Sequence, residues 1–186
     1  MEPVIDSENQ IRYDVSPWKT ARKWGVIGGL MGIILTLSSY FLKSQPLEKN
    51  TFEGLLGIAI AIFIVVMATK EHRDKDLGGF MSYGRGLGVA TATGLFVGIV
   101  AAIFAYIFYT YVIDYSHLMS AALESERDKL VEKGLTDEQI EMGMSWGKKF
   151  SSPSFISIVA IPATVFFYFI ISLITSAILK RKPSEF

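Results

Sequence analysis

Glu71, His72, Asp74 and Asp76 are the acid–base side chains that this sequence could gather at one membrane interface. An enzyme acting on a lipid substrate needs such a cluster, because proton transfer requires titratable groups within reach of one reacting atom. One polar turn solvates all four equally well, so the spacing alone assigns no chemistry. The segment runs on to Gly88 and includes Gly78, Gly79, Gly84, Gly86 and Gly88. Gly84-Arg85-Gly86-Leu87-Gly88 has the outline of a phosphate loop. It follows no strand and lacks the G-K-[ST] ending, so nucleotide binding is not expected. Arg73, Lys75 and Arg85, with Tyr83, suit a different anion. Guanidinium groups grip phosphate bidentately, and basic side chains beside a span meet anionic headgroups. These four are the candidate contacts to phospholipid or to a partner.

Other chemistries find no residues. The chain has no cysteine, which removes disulfides, thiolate catalysis and cysteine-based metal sites. His72 and His117 stand in different loops. Acids such as Glu124 and Asp128 lack the regular spacing of a calcium loop. There is no G-x-S-x-G elbow and no H-E-x-x-H. No catalytic, cofactor-binding or metal-binding residue is assigned, no cofactor is expected, and the chain reads as no enzyme. Lys and Arg total 18 against 18 Asp and Glu, so no global basic field points to nucleic acid.

The elements that carry these residues are set by four uncharged runs, Trp24 to Leu42, Gly54 to Thr69, Gly86 to Ile113 and Phe150 to Leu179. A hydrocarbon core about 30 Å thick needs roughly 20 apolar helical residues. The fold class that follows is an all-α membrane protein. One domain over 1–186 is expected, an antiparallel four-helix transmembrane bundle with spans near 24–42, 52–69, 86–111 and 155–179. The first run is full length and follows Glu2, Asp6, Glu8 and Asp14, so it reads as a retained anchor and not a cleaved signal. Arg12, Lys19, Arg22 and Lys23, then Lys70, Arg73, Lys75 and Arg85, then Lys180, Arg181 and Lys182 fall on one side. The first loop has Lys43 and Lys49, and the third loop has more acids than bases. The positive-inside rule then places both termini, including the tail 1–23, in the cytoplasm of a bacterial inner membrane.

Lipid tails are as apolar as leucine, so helices associate through small residues that let backbones approach. Gly86, Ala90, Gly94, Gly98 and Ala102 recur every four residues, and the first span offers Gly25 with Gly29 and Gly28 with Gly32. The simplest reading packs the first span against the third, with a homodimer face as the other use of the stripe. Thr36, Thr91, Thr93, Ser172 and Thr175 would line any polar path through the membrane. Helical hydroxyls usually bond back to their own carbonyls. No charged residue lies well inside a run, which argues against a proton-coupled carrier.

The stretch 114–153 reads as an extracytoplasmic helical hairpin. Met119, Leu123 and Leu130 share a face, and Gly134 suits the C-terminal cap of that helix. Thr136-Asp137-Glu138-Gln139 matches a capping box and opens a second helix with Ile140, Met144 and Trp146.

These motifs together resemble the DUF4199 family. The likeness rests on W-K-T-A-x-K-W-G from Trp18 to Gly25, with Arg22 at the open position, and on R-D-K-D-L-G-G-F-M-S-Y-G from Arg73 to Gly84. It also rests on K-G-L-T-D-E-Q-I-E from Lys133 to Glu141 and on the terminal I-L-K-R-K. The resemblance implies a small four-span inner-membrane protein of Bacteroidetes, of unassigned function, and brings no catalytic residues. The expected role is a non-enzymatic accessory or scaffold subunit working through its loops, touching membrane lipids and another membrane protein or a second copy of itself. The alternative is transport, flipping or binding of a lipid-linked or neutral solute.

Overall fold

A computed structural model describes residues 15–42, 51–113 and 115–181, with the backbone alone for 116–118, 121 and 122. Most of the tail 1–23, with Arg12, lies outside the described residues, as do Lys43, Lys49, Asp114, Lys182 and the His117 ring. Four long apolar helices carry the fold, so the protein is an all-α membrane protein. They are α1 (Trp18–Leu42), α2 (Thr51–Glu71), α3 (Tyr83–Ile107) and α6 (Pro153–Leu179). Between the last two stand α4 (Tyr115–Glu132) and α5 (Asp137–Phe150). A π-helical turn extends α2 over His72–Asp76, and another extends α3 over Phe108–Val112. α1, α2 and α3 begin before the uncharged runs that predict them, because amphipathic ends continue a helix into the headgroup layer, whereas α6 begins at Pro153, three residues inside its run.

The chain forms two compact units, one running to Ala101 and resuming at Ile161, the other Ala102–Ala160. In the first unit the start of α1, the end of α2 and the end of α6 meet. Thr20 bonds to Asp76, and Arg73 to the Leu179 carbonyl. Met81 and Arg181 exchange two backbone hydrogen bonds of 2.9 Å, which bind the loop before α3 to the end of α6. The four helices are therefore antiparallel neighbours. Ala61, Ile64, Val65, Ala90, Val97 and Tyr168 form the core between them.

The glycines serve two separate seams. On α1, a Cβ at Gly25 would collide with Phe96 and Thr93, and one at Gly29 would sit 2.5 Å from Val100. Gly28 faces Val97 and Ile64, at 3.1 and 3.2 Å. The stripe on α3 turns to α6 instead. A Cβ at Gly86 would lie 2.8 Å from the Ser176 hydroxyl, one at Gly94 2.5 Å from Tyr168, and one at Gly98 3.1 Å from the Ile161 backbone. Ala90 is fully buried in this unit, Ala102 is buried in the other, and Gly32 faces nothing within 4 Å. The first span packs against the third as the simplest reading expects, but through the α1 glycines against α3 side chains, while the α3 stripe is set against α6. Two smooth grooves face to face leave a void, whereas a groove receiving Phe96 or Tyr168 fills.

In the second unit α4 and α5 form a helical hairpin. Gly134 has φ of 72°, Leu135 N–H donates to Leu130 and Gly134 N–H to Val131, so α4 ends in a Schellman turn. Thr136 accepts from Gln139 N–H while the Gln139 side chain accepts from Thr136 N–H, closing the capping box. Leu130 and Leu123 lie over Gly143 and Gly147 of α5, and Ile140 is buried beside them.

Thermal unfolding in lipid nanodiscs tests the seams. Gly94→Ala or Gly25→Ala should cost about 1–3 kcal/mol through overpacking. Gly32→Ala should be neutral, or stabilising by up to ~1 kcal/mol from helix propensity. Equal losses at all three would mean that the seams lie elsewhere.

Candidate functional site: a charged turn closed into the bundle

The stretch from Lys70 is not a solvated loop. With its π-helical extension, α2 spans 26 residues, Thr51–Asp76. At 1.5 Å per residue that is about 39 Å, longer than the hydrocarbon core, so the last turns stand at headgroup level. The Leu77 N–H reaches back five residues to the His72 carbonyl, at 3.1 Å. This wider turn carries charges inward and outward in succession: His72 is 0% and Arg73 6% exposed, while Asp74 and Lys75 face out. Gly78 and Gly79, at φ of 66° and 93°, then reverse the chain, and the Gly79 N–H caps the Arg73 carbonyl. Leu77 and Met81 close the turn beneath, against Val15 and Leu179.

The buried polar groups pair one by one. Glu71 takes both oxygens to Lys23 Nζ at 2.8 Å, and accepts from Trp24 Nε1 at 2.7 Å, which ties α2 to α1. Asp76 accepts from the Thr20 hydroxyl at 2.8 Å and holds His72 Nδ1 at the same distance. His72 Nε2 accepts from Arg85 Nε at 3.2 Å, which ties α2 to α3. Arg73 grips the Asp74 carboxylate at 2.6 and 3.1 Å. Its third nitrogen donates to the Leu179 carbonyl at 3.1 Å. A cation on the last carbonyls of α6 satisfies an orphan acceptor and the negative end of the helix dipole. Three buried polar atoms keep no partner among the described residues: Thr69 Oγ1, Ser176 Oγ and Arg85 Nη2.

The four candidate headgroup contacts are thus placed differently from one another. Arg73 is spent on Asp74 and α6, and Arg85 on His72. Tyr83 donates its hydroxyl to the Leu173 carbonyl at 3.3 Å. Lys75 leaves 71% of its side chain free and reaches Glu71 only at 3.4 Å. The sequence marks the charges but not their inward turn, since an i,i+5 turn has no compositional signature.

The hydroxyls that would line a membrane path are mostly satisfied within their own helices. Thr36 donates to Gly32, Thr93 to Val89, Ser172 to Phe169 and Thr175 to Ile171. Among the described residues no three His, Asp or Glu side chains are placed to hold one metal ion. The second unit has an open cleft of about 810 Å³ lined by Tyr109, Tyr115, Met119, Leu123, Lys148 and Pro153, among others. Tyr115 crosses beside it to donate to the Ser151 carbonyl at 2.6 Å.

Arg73→Ala orphans both Asp74 and the Leu179 carbonyl. It should destabilise the fold by about 1.5–3 kcal/mol, the range for hydrogen bonds to charged groups. Arg73→Lys should recover only part of that, because a single ammonium cannot form the fork. Chemical or thermal denaturation in nanodiscs reads both, and an unchanged Arg73→Ala midpoint would remove the capping role.

This charged turn and its helical frame fall inside a recognised pattern: residues 23–181 match the family described as "Protein of unknown function (DUF4199)". No curated protein and no solved structure matches the chain. With the match covering both glycine seams, the charged turn and the hairpin, the chain belongs to the DUF4199 family.

Proposed function

We propose that this protein is a non-enzymatic subunit of the bacterial inner membrane, an accessory or scaffold component that works through its α4–α5 hairpin. The carrying observation is a stripe on α5. Gly143, Gly147 and Ile140 face α4, while Met142 and Trp146, one turn apart, are 58% and 50% exposed. Phe150 continues the stripe and stacks on Trp146, with ring centroids 5.4 Å apart. An amphipathic helix whose inner face is already filled, yet which still displays Met and two aromatics, has the composition of a binding surface.

The Arg73 to Gly88 stretch fits this role less well than the hairpin, because its charges are turned onto the bundle itself. The basic residues Lys19, Arg22, Lys23, Arg73, Lys75, Arg85, Lys180 and Arg181 border the helix ends that meet in the first unit. That clustering supports a cytoplasmic location for this end and for both termini, with the hairpin outside. The partner envisaged is another membrane protein or a second copy of this chain, alongside membrane lipids. Transport of a lipid-linked or neutral solute is the weaker reading, since Thr36, Thr93, Ser172 and Thr175 spend their donors on their own helices.

A photo-crosslinking amino acid placed at Met142 or Trp146 in native membranes should give one discrete protein adduct. The same probe at exposed Glu141, off the stripe, should give little, and Met142→Ser with Trp146→Ser should lose the partner without loss of thermal stability. Adducts of equal yield from Glu141, or adducts to lipid alone, would sink the scaffold reading.

A further inference from the structure

The contact between His72 and Arg85 has an unusual polarity. A guanidinium is a donor at every nitrogen and stays protonated in proteins. Arg85 Nε, 3.2 Å from His72 Nε2, therefore requires a lone pair on that ring nitrogen. The ring proton then sits on Nδ1, where it is donated to Asp76 Oδ2 at 2.8 Å. The hydrogen-bond partners assign His72 as the neutral Nδ1–H tautomer. A proton added at Nε2 converts the acceptor into a donor and sets an imidazolium against a guanidinium. Proton and Arg85 contact are mutually exclusive.

We propose that His72 is a proton-binding site whose occupancy releases the first turn of α3 from α2. The charged groups acting on His72 are Asp76 on its own helix and Arg85 on α3. From α1, Lys23 is closed on Glu71, and Thr20 supports Asp76. Arg73 is closed on Asp74, toward which Arg181 at the end of α6 also acts. Asp76 therefore stabilises the incoming charge, Arg85 opposes it, and the neighbouring pairs stay balanced in both states.

The release is favoured because Arg85 is under-satisfied in the closed arrangement. Arg85 Nη2 is buried without a partner, as are Thr69 Oγ1 one turn before His72 and Ser176 Oγ beside Gly86. Unpartnered buried polar atoms make the closed arrangement costly to keep, and Arg85 as a residue is only partly buried. Its outward swing uncovers Nε2 for the proton and gives Nη2 to water. The other ties do not depend on Nε2: Glu71 keeps Lys23 and Trp24, Arg73 keeps Leu179, and Met81 keeps Arg181. Proton uptake frees one helix start while the rest of the bundle end stays fastened, as a local switch must.

The full chain in lipid nanodiscs can test this directly. With two histidines in the sequence, His117→Asn leaves one imidazole, and its nitrogen-15 chemical shifts report the tautomer. The expected state in alkaline buffer is Nδ1–H with an unprotonated Nε2, giving way to imidazolium on acidification. Arg85→Gln keeps a donor without the charge and should raise the titration midpoint; Asp76→Asn should lower it, each by about 1 pH unit or more. Because the chain has no cysteine, spin labels at Lys75→Cys and Gly84→Cys report the α2–α3 separation. That separation should widen with the same midpoint as the imidazole, and should stay constant in Arg85→Gln. An Nε2–H tautomer in alkaline buffer overturns the proposal even if the Arg85 and Asp76 variants fail to fold. A label distance indifferent to His72 protonation, or midpoints moving the same way in both variants, also overturns it.

Discussion

Helices surrounded by hydrocarbon gain nothing by hiding leucine against leucine, since the lipid tails are equally apolar. Association must come from close packing and from polar groups that find each other where water is scarce. Both appear here, at different levels of the bundle. Within the spans, Gly25, Gly28 and Gly29 admit Phe96, Val97 and Val100, and Gly86, Gly94 and Gly98 admit α6. Each seam sets a flat strip against a bulky ridge. Dispersion contacts are individually small but accumulate only when surfaces touch, which a Cβ on either strip would prevent. At the headgroup level the work passes to hydrogen-bonded charge, with α2 as the hub from which α1, α3 and α6 are each held.

The hub depends on how α2 ends. An ordinary α-helical C-terminus after Lys70 would leave the last carbonyls to water and spray the following charges outward. The π-helical turn keeps the chain helical for five more residues and lays down an inward-facing His72 and Arg73 between outward-facing neighbours. Burying charge is costly unless every ion is paired and hydrogen-bonded. Glu71 meets that condition through the Lys23 ammonium and the Trp24 indole, and Arg73 through the Asp74 carboxylate and the Leu179 carbonyl, with three hydrogen bonds each. Removing one member strands another, so the turn behaves as a unit.

Much of this was readable in the residues, and the failures have identifiable causes. Four long, uninterrupted apolar runs separated by charge specify four long helices, because lipid admits only helices and closed barrels, and barrel strands are short and alternate apolar with polar residues. Gly134 and the Thr136–Gln139 box announce their turns because the chemistry is local, spanning three or four residues. The glycine stripe on α3 was visible as a period of four, but a stripe carries no address. Whether Gly94 meets α1 or Tyr168 of α6 depends on which neighbour offers a side chain of the right bulk at that height. The Lys70 to Asp76 stretch was the least readable. Seven ionisable residues in a row read as a solvated loop, and only their three-dimensional partners, Thr20, Lys23, Trp24, Arg85 and Leu179, distant in sequence, reveal a buried network.

A cluster of acids, bases and histidine at a membrane interface invites a catalytic reading, yet the pairing argues for a different use. Catalytic groups must keep a lone pair or a proton aimed at a substrate. Here both oxygens of Glu71 are taken, and Asp76 is shared between Thr20 and His72. Arg73 divides its fork between a carboxylate and a helix end. Such groups hold helices. His72 is the departure, a neutral ring accepting from a cation that an anion would satisfy better. A contact of that kind contributes least to holding and is most easily reversed by a proton. The strength of Glu71 and Arg73 is what allows it, since the bundle end stays tied when that one link opens.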